Sequence, residues 1–166
     1  KDVKDIGEIE IKKDWEVQRL PSLNAPSTPN SLKGVKYIIA IASGKGGVGK
    51  STVTVCIAEA FASAGAKVGI LDVDVYGPSI PSMVGLGDHR LGGSQQGVLE
   101  PVEAHGMKIM SMGFITNKDT PVILRGPIAS QLVQQFLGAV DLGELVYLFV
   151  DMPPGTGDLQ LILFYS

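Results

Sequence analysis

The sequence predicts an α/β fold in which a mostly parallel sheet is flanked by helices. Three observations carry that reading. Apolar residues occur in continuous runs rather than in alternation, a stretch of helical periodicity separates the first two runs, and glycine or proline stands at the boundaries. Continuous runs suit strands covered on both faces, as in parallel sheets.

Residues 1–19 carry 11 of the 31 charged residues, signs mixed, around Ile6, Ile9, Ile11, Trp15 and Val17. Residues 1–20 therefore read as the end of a preceding domain or as a solvated charged tail. Residues 21–34, with three prolines among small polar residues, read as an extended Pro/Ser linker. The main domain is expected over 35–166. Its first strand is Tyr37–Ala42, and Val68–Leu71 and Val146–Val150 repeat the pattern. Between the first two, Val53, Ile57, Ala60, Phe61 and Ala64 recur at helical spacing, and Gly65 stands where a terminating glycine belongs. Strand, helix and strand make a βαβ unit. Ile128–Leu137 offers a second crossover helix, with Pro127 favourable in its first turn. Val98–Val102 and Met107–Met112 predict a small β-hairpin inserted around Ala104-His105-Gly106.

Composition narrows the function. With 166 residues, 45% hydrophobic and 19% charged, the chain can bury a real core. A net charge of −3 gives no footprint for nucleic acid or an anionic membrane surface. The single cysteine excludes an internal disulfide and fits a reducing, cytoplasmic setting.

Between the first strand and its helix stands Gly44-Lys45-Gly46-Gly47-Val48-Gly49-Lys50-Ser51-Thr52, a match to G-x-x-x-x-G-K-[ST]. Such glycines let successive backbone N–H groups converge on phosphate oxygens, and the following helix N-terminus adds its positive dipole. Lys50 is positioned by the motif for the β and γ phosphates, and Ser51 for Mg²⁺. After the second strand come Asp72 and Asp74, at the strand end where ligands of open α/β sheets sit. One of these carboxylates could position or deprotonate an attacking water, and the other could order the loop or reach Mg²⁺ through water. An equally open reading is a turn pair. The third apolar run ends in Asp151, a Walker-B arrangement that holds the metal shell, and Gly155 follows in position to offer its N–H to a γ-phosphate. Ser51, Asp72, Asp74 and Asp151 thus form the candidate Mg²⁺ shell. Together these elements describe a nucleoside triphosphatase using ATP and Mg²⁺.

A second lysine, Lys45, directly follows the first glycine of the loop. The resulting K-G-G-V-G-K-S-T resembles the deviant Walker A of SIMIBI-class ATPases such as MinD, ParA and nitrogenase iron protein. S-G-K-G-G-V-G-K-S-T, D-V-D-V-Y-G-P-S-I-P, I-L-R-G-P and V-D-M-P-P-G-T-G-D-L-Q-L resemble the Mrp/ApbC-type iron–sulfur cluster carriers, over Val35 to Leu163. The resemblance implies an ATPase whose nucleotide state gates cluster loading or transfer, working as a homodimer with an iron–sulfur scaffold and apo-protein recipients. It implies that Asp74 acts on the attacking water, that Asp151 is the Walker-B carboxylate, and that Lys45 crosses to the partner's nucleotide. It also implies that residues 1–20 are the remnant of a MIP18-like domain. Arg125, in R-G-P, receives no role.

Family members continue beyond the P-P-G-T-G-D segment, with more strands and a C-x-x-C motif that shares a [4Fe–4S] cluster between subunits. The sheet is therefore expected to be incomplete here, and the cluster to belong to the full-length parent. No cluster ligand is expected in this chain. Cys56 falls with Val53 and Ala60 on what spacing predicts to be the buried face of the first helix, and His89 and His105 read as exposed loop histidines. A MinD/ParA-like partitioning ATPase is the alternative. It calls for a terminal amphipathic helix or a basic face, and the sequence shows neither. A nucleotide-binding fragment without turnover is the other.

Overall fold

The computed structural model describes residues 32–91, 98–115 and 126–155. The tail 1–20, most of the linker, Arg125 and Thr156–Asp158 lie outside the described residues. Among the described residues five strands form one sheet: β1 (Val35–Ile41), β2 (Val68–Asp72), β3 (Val102–Ala104), β4 (Met107–Ser111) and β5 (Leu145–Asp151). Their order is β1-β5-β2-β4-β3. β1, β5, β2 and β4 run parallel, and only β3 is antiparallel. Helix α1 (Lys50–Ser63) links β1 to β2, the short α2 (Ile80–Met83) follows β2, and α3 (Gly126–Ala139) precedes β5.

The expected α/β architecture is present. Each continuous apolar run became a strand, and the central β2 is buried along its whole length. A hairpin forms as well, with its first strand at Val102–Ala104 rather than at the expected Val98–Val102, around a two-residue turn in which His105 (φ 53°) and Gly106 (φ 72°) are both left-handed. That conformation matches the twist of the flanking strands. The hairpin does not stand apart from the sheet, because β4 pairs in parallel with β2 and carries Ile109 and Met110 into the core. Ile70, Leu71, Leu148 and Phe149 complete the centre of that core, each at most 1% exposed.

The first helix corrects one expectation. Its residues are helical as the spacing implied, but the buried positions are Thr54 and Ala58. Val53, Ile57 and Phe61 stay 48%, 39% and 36% exposed, and Cys56 is exposed rather than in the core. Apolar residues ring this helix, so periodicity alone could not choose its inner face. The choice is made by Thr54, which must reach the end of β5. Phe61 still packs edge-on against Tyr147 and Phe149, at 4.8 and 5.5 Å between ring centroids. On the outer side of β1 no strand pairs among the described residues, and Tyr37 and Ile38 are about half exposed.

Strand register aligns the carboxyl ends. Ile41 pairs with Asp151, Asp151 with Asp72, and Asp72 with Ser111. Three strands thus deliver polar side chains to one row at the edge where the loop Gly44–Gly49 leaves β1.

Candidate nucleotide site

The loop from Gly44 to Gly49 is glycine-rich for a conformational reason. Gly47 and Gly49 hold φ of 73° and 89°, which L side chains rarely adopt. A Cβ placed on either would meet no heavy atom within 4 Å, so crowding within the chain is not the cause. Gly49 caps α1, and its carbonyl accepts from the Val53 N–H at 3.0 Å. Lys45 and Val48 are exposed on the loop, whereas Lys50 and Ser51 turn inward at the start of α1.

The inward side chains converge on Asp151, which is fully buried. Lys50 Nζ lies 2.7 Å from its Oδ1, and Ser51 Oγ donates to its Oδ2 at 2.6 Å. Thr54 Oγ1 donates to the Oδ1 at 2.9 Å and also lies 3.0 Å from the Lys50 carbonyl. Sequence reasoning missed Thr54. The available signal was a hydroxyl residue three positions after Ser51, on the same side of the helix.

Asp74 approaches from the loop after β2. Its Oδ2 stands 3.9 Å from Lys50 Nζ, while its Oδ1 accepts from the N–H groups of Tyr76 and Gly77 at 3.2 and 3.1 Å. Asp72 is fully buried one step behind. Its Oδ1 accepts from the Asp74 N–H at 3.1 Å, and its Oδ2 accepts from Ser111 Oγ at 2.8 Å. Of the roles considered for the pair, this geometry lets Asp72 order the loop and Asp74 face the lysine. Gly155 lies against the start of the loop, but its N–H donates to the Ser43 carbonyl at 2.8 Å. Presenting that N–H to a phosphate requires this bond to open. His89 and His105 are exposed as expected, the first edge-on to Phe114, the second with Nε2 3.3 Å from the Val84 carbonyl.

Burial pushes the Asp72 carboxyl up to about 7, helped by the charges of Asp151 and Asp74 and opposed by its bonds to Ser111 and the Asp74 N–H. Folding therefore takes up a proton at Asp72, and the stability this supplies at acid pH is lost as pH rises from about 4 through 7. Asp72→Asn cannot lose it. In metal chelator, the stability of Asp72→Asn relative to the parent should improve between pH 4.5 and 8 by up to about 3–4 kcal/mol. Urea unfolding of both proteins at the two pH values measures this, and a difference that does not change with pH would refute it.

The donor set fits Mg²⁺. The Ser51 hydroxyl and the Asp151 carboxylate are hard oxygen donors brought together at one point, beside the glycine-rich loop that leads into α1.

A phosphate loop leading into α1, with a carboxylate at the end of a neighbouring parallel strand, defines a nucleotide-binding domain of the P-loop NTPase class. Residues 34–166 match the ParA family model described as NUBPL iron-transfer P-loop NTPase, and the chain belongs to that family. It is 51% identical over 164 residues to the iron–sulfur cluster carrier protein of Synechocystis sp., covering 97% of this chain and 46% of that protein. The iron–sulfur cluster carrier protein of Haemophilus influenzae is 48% identical over 150 residues, covering 90% of this chain and 40% of its own length. The chain thus spans less than half the length of these curated relatives. Among solved structures, the nucleotide-binding protein of Archaeoglobus fulgidus in complex with ADP superimposes with a TM-score of 0.66 at 43% identity. That match covers 81% of this chain and 51% of the other. Among the described residues, no helix is long and apolar enough to cross a membrane.

Proposed function

We propose that this chain binds ATP with Mg²⁺ and hydrolyses it, as the nucleotide-dependent part of an iron–sulfur cluster carrier whose nucleotide state gates cluster loading or transfer. The observation that carries the reading is the meeting of Lys50, Ser51 and Asp74 with the buried Asp151 at the carboxyl edge of the sheet. Ser51 and Asp151 would hold Mg²⁺, which neutralises phosphate charge when bound. Lys50, now paired with Asp151, would swing to the β and γ phosphates, an exchange of one anionic partner for another. Asp74, its Oδ1 fixed by two N–H groups, would use Oδ2 to orient or deprotonate the attacking water. The cluster is cargo. Its scaffold and its apo-protein recipients would engage the longer protein, and Cys56 alone cannot supply a ligand set.

Lys45 extends the proposal to a homodimer. Lys50 already supplies the cation on the inner side of the loop, and a second ammonium there would meet like-charge repulsion. Lys45 is exposed, free to reach across a two-fold axis to a partner's nucleotide as a finger in trans. Turnover per subunit should then rise with protein concentration, and Lys45→Ala should lose turnover far more than ATP affinity. Mixing Lys45→Ala with Asp74→Asn in equal amounts should restore about a quarter of parental activity, because random pairing gives half mixed dimers with one intact site each. Activity that is flat on dilution, with mixtures that stay dead, would remove the trans role and leave the ATPase reading standing. Absence of Mg-ATP binding by the parent would remove both.

A further inference from the structure

We infer that Ser111 is a positioning residue for the nucleotide site, acting through Asp72 on the backbone of Asp74. No motif marks it in the sequence. It is fully buried at the end of β4, and the register of β4 on β2 sets it directly beside Asp72. Its hydroxyl has one proton, which goes to Asp72 Oδ2 at 2.8 Å, while its oxygen accepts from the Gly113 N–H at 2.9 Å. The second oxygen of Asp72 holds the Asp74 N–H. A continuous line of hydrogen bonds therefore runs from the turn Met112–Phe114, through Ser111 and Asp72, to the residue facing Lys50. Packing reinforces it. A Cβ on Gly113 would come within 3.1 Å of Pro78 and 3.2 Å of Pro81, so the turn after β4 and the segment after Asp74 are seated on one another. Without the Ser111 proton, Asp72 is free to turn, and the loop carrying Asp74 loses its fixed origin.

The kinetic half of this inference rests on the hydrolase reading above, and the structural half does not. Residue-resolved amide exchange by NMR tests the latter. In Ser111→Ala, exchange at Asp74, Tyr76 and Gly77 should quicken roughly tenfold, the worth of one such hydrogen bond. Val73, whose N–H is held by the Asp151 carbonyl, should keep its protection as the internal control. Turnover should fall roughly tenfold through misplacement of Asp74, with ATP affinity unchanged, and Ser111→Thr should restore both exchange and turnover by returning the hydroxyl. If Ser111→Ala does not fold, Ser111→Cys, nearly isosteric but a weak donor, takes its place with the same expectations. Unchanged exchange at Asp74, an acceleration shared equally by Val73, or a turnover defect that threonine does not rescue would overturn the inference. A parent that binds but never hydrolyses ATP would defeat the hydrolase reading, and exchange alone would then decide the role of Ser111.

Discussion

Lys50→Ala is expected to weaken ATP binding by roughly 30- to 150-fold, the cost of one charge-assisted contact to phosphate at about 2–3 kcal/mol. The structure adds a second expected loss. Lys50 is the cation beside a buried carboxylate, and both side chains are nearly sealed from water, at 7% and 0% exposure. Removing one member of a buried pair typically costs about 3–5 kcal/mol because the other charge is left uncompensated. Ser51 and Thr54 still donate to Asp151, which places the expected loss nearer about 1–3 kcal/mol. The two losses separate in the double variant. Lys50→Ala with Asp151→Asn carries no orphaned charge, so stability should recover while ATP affinity does not. Calorimetric titration and denaturant unfolding on the same samples measure both. ATP affinity unchanged in Lys50→Ala would end the phosphate-loop assignment.

Asp74→Asn should bind Mg-ATP nearly as the parent does and hydrolyse it at least ~100-fold more slowly, the lower range for a general base. The substitution is well suited to the geometry. An asparagine oxygen can go on accepting from Tyr76 and Gly77, so the loop keeps its turn, while the amide nitrogen in place of Oδ2 cannot take a proton. Single-turnover phosphate release reports the chemical step directly. A parental rate in Asp74→Asn would show that the role of this carboxylate has been misassigned.

Much of this site was legible because its signals are local. The spacing of Gly44, Gly49, Lys50 and Ser51 is contiguous in the chain, and the apolar runs ending in Asp72 and Asp151 announce strands with carboxylates at one edge. Thr54 was half legible, since its spacing from Ser51 is visible but its target is not. Ser111 was invisible. Its meaning comes from the register of β4 on β2, a non-local pairing that no window of sequence contains. The buried face of α1 was misread for a related reason. With alanine, valine and isoleucine on every side, hydrophobic spacing is degenerate, and a hydrogen bond to a residue 97 positions away breaks the tie. The same choice turned Cys56 outward.

The order of the strands also bears on how the molecule comes to be made. β5 lies between β1 and β2, yet it is the last of the three in the chain. The first two strands have no direct pairing to make with each other; β2 can pair with β4, but β1 must wait for β5, which is synthesised long after it. At a ribosomal pace of about 5–20 residues per second, that interval lasts several seconds. During it the apolar run Val35–Ile41 is without the one strand it pairs with among the described residues. Insertion of β5 between β1 and β2 then joins the two and brings Asp151 to Lys50, Ser51 and Thr54. The meeting of Lys50, Ser51 and Thr54 with a buried carboxylate is therefore made only once β5 has emerged, later in synthesis than every other described part of that cluster.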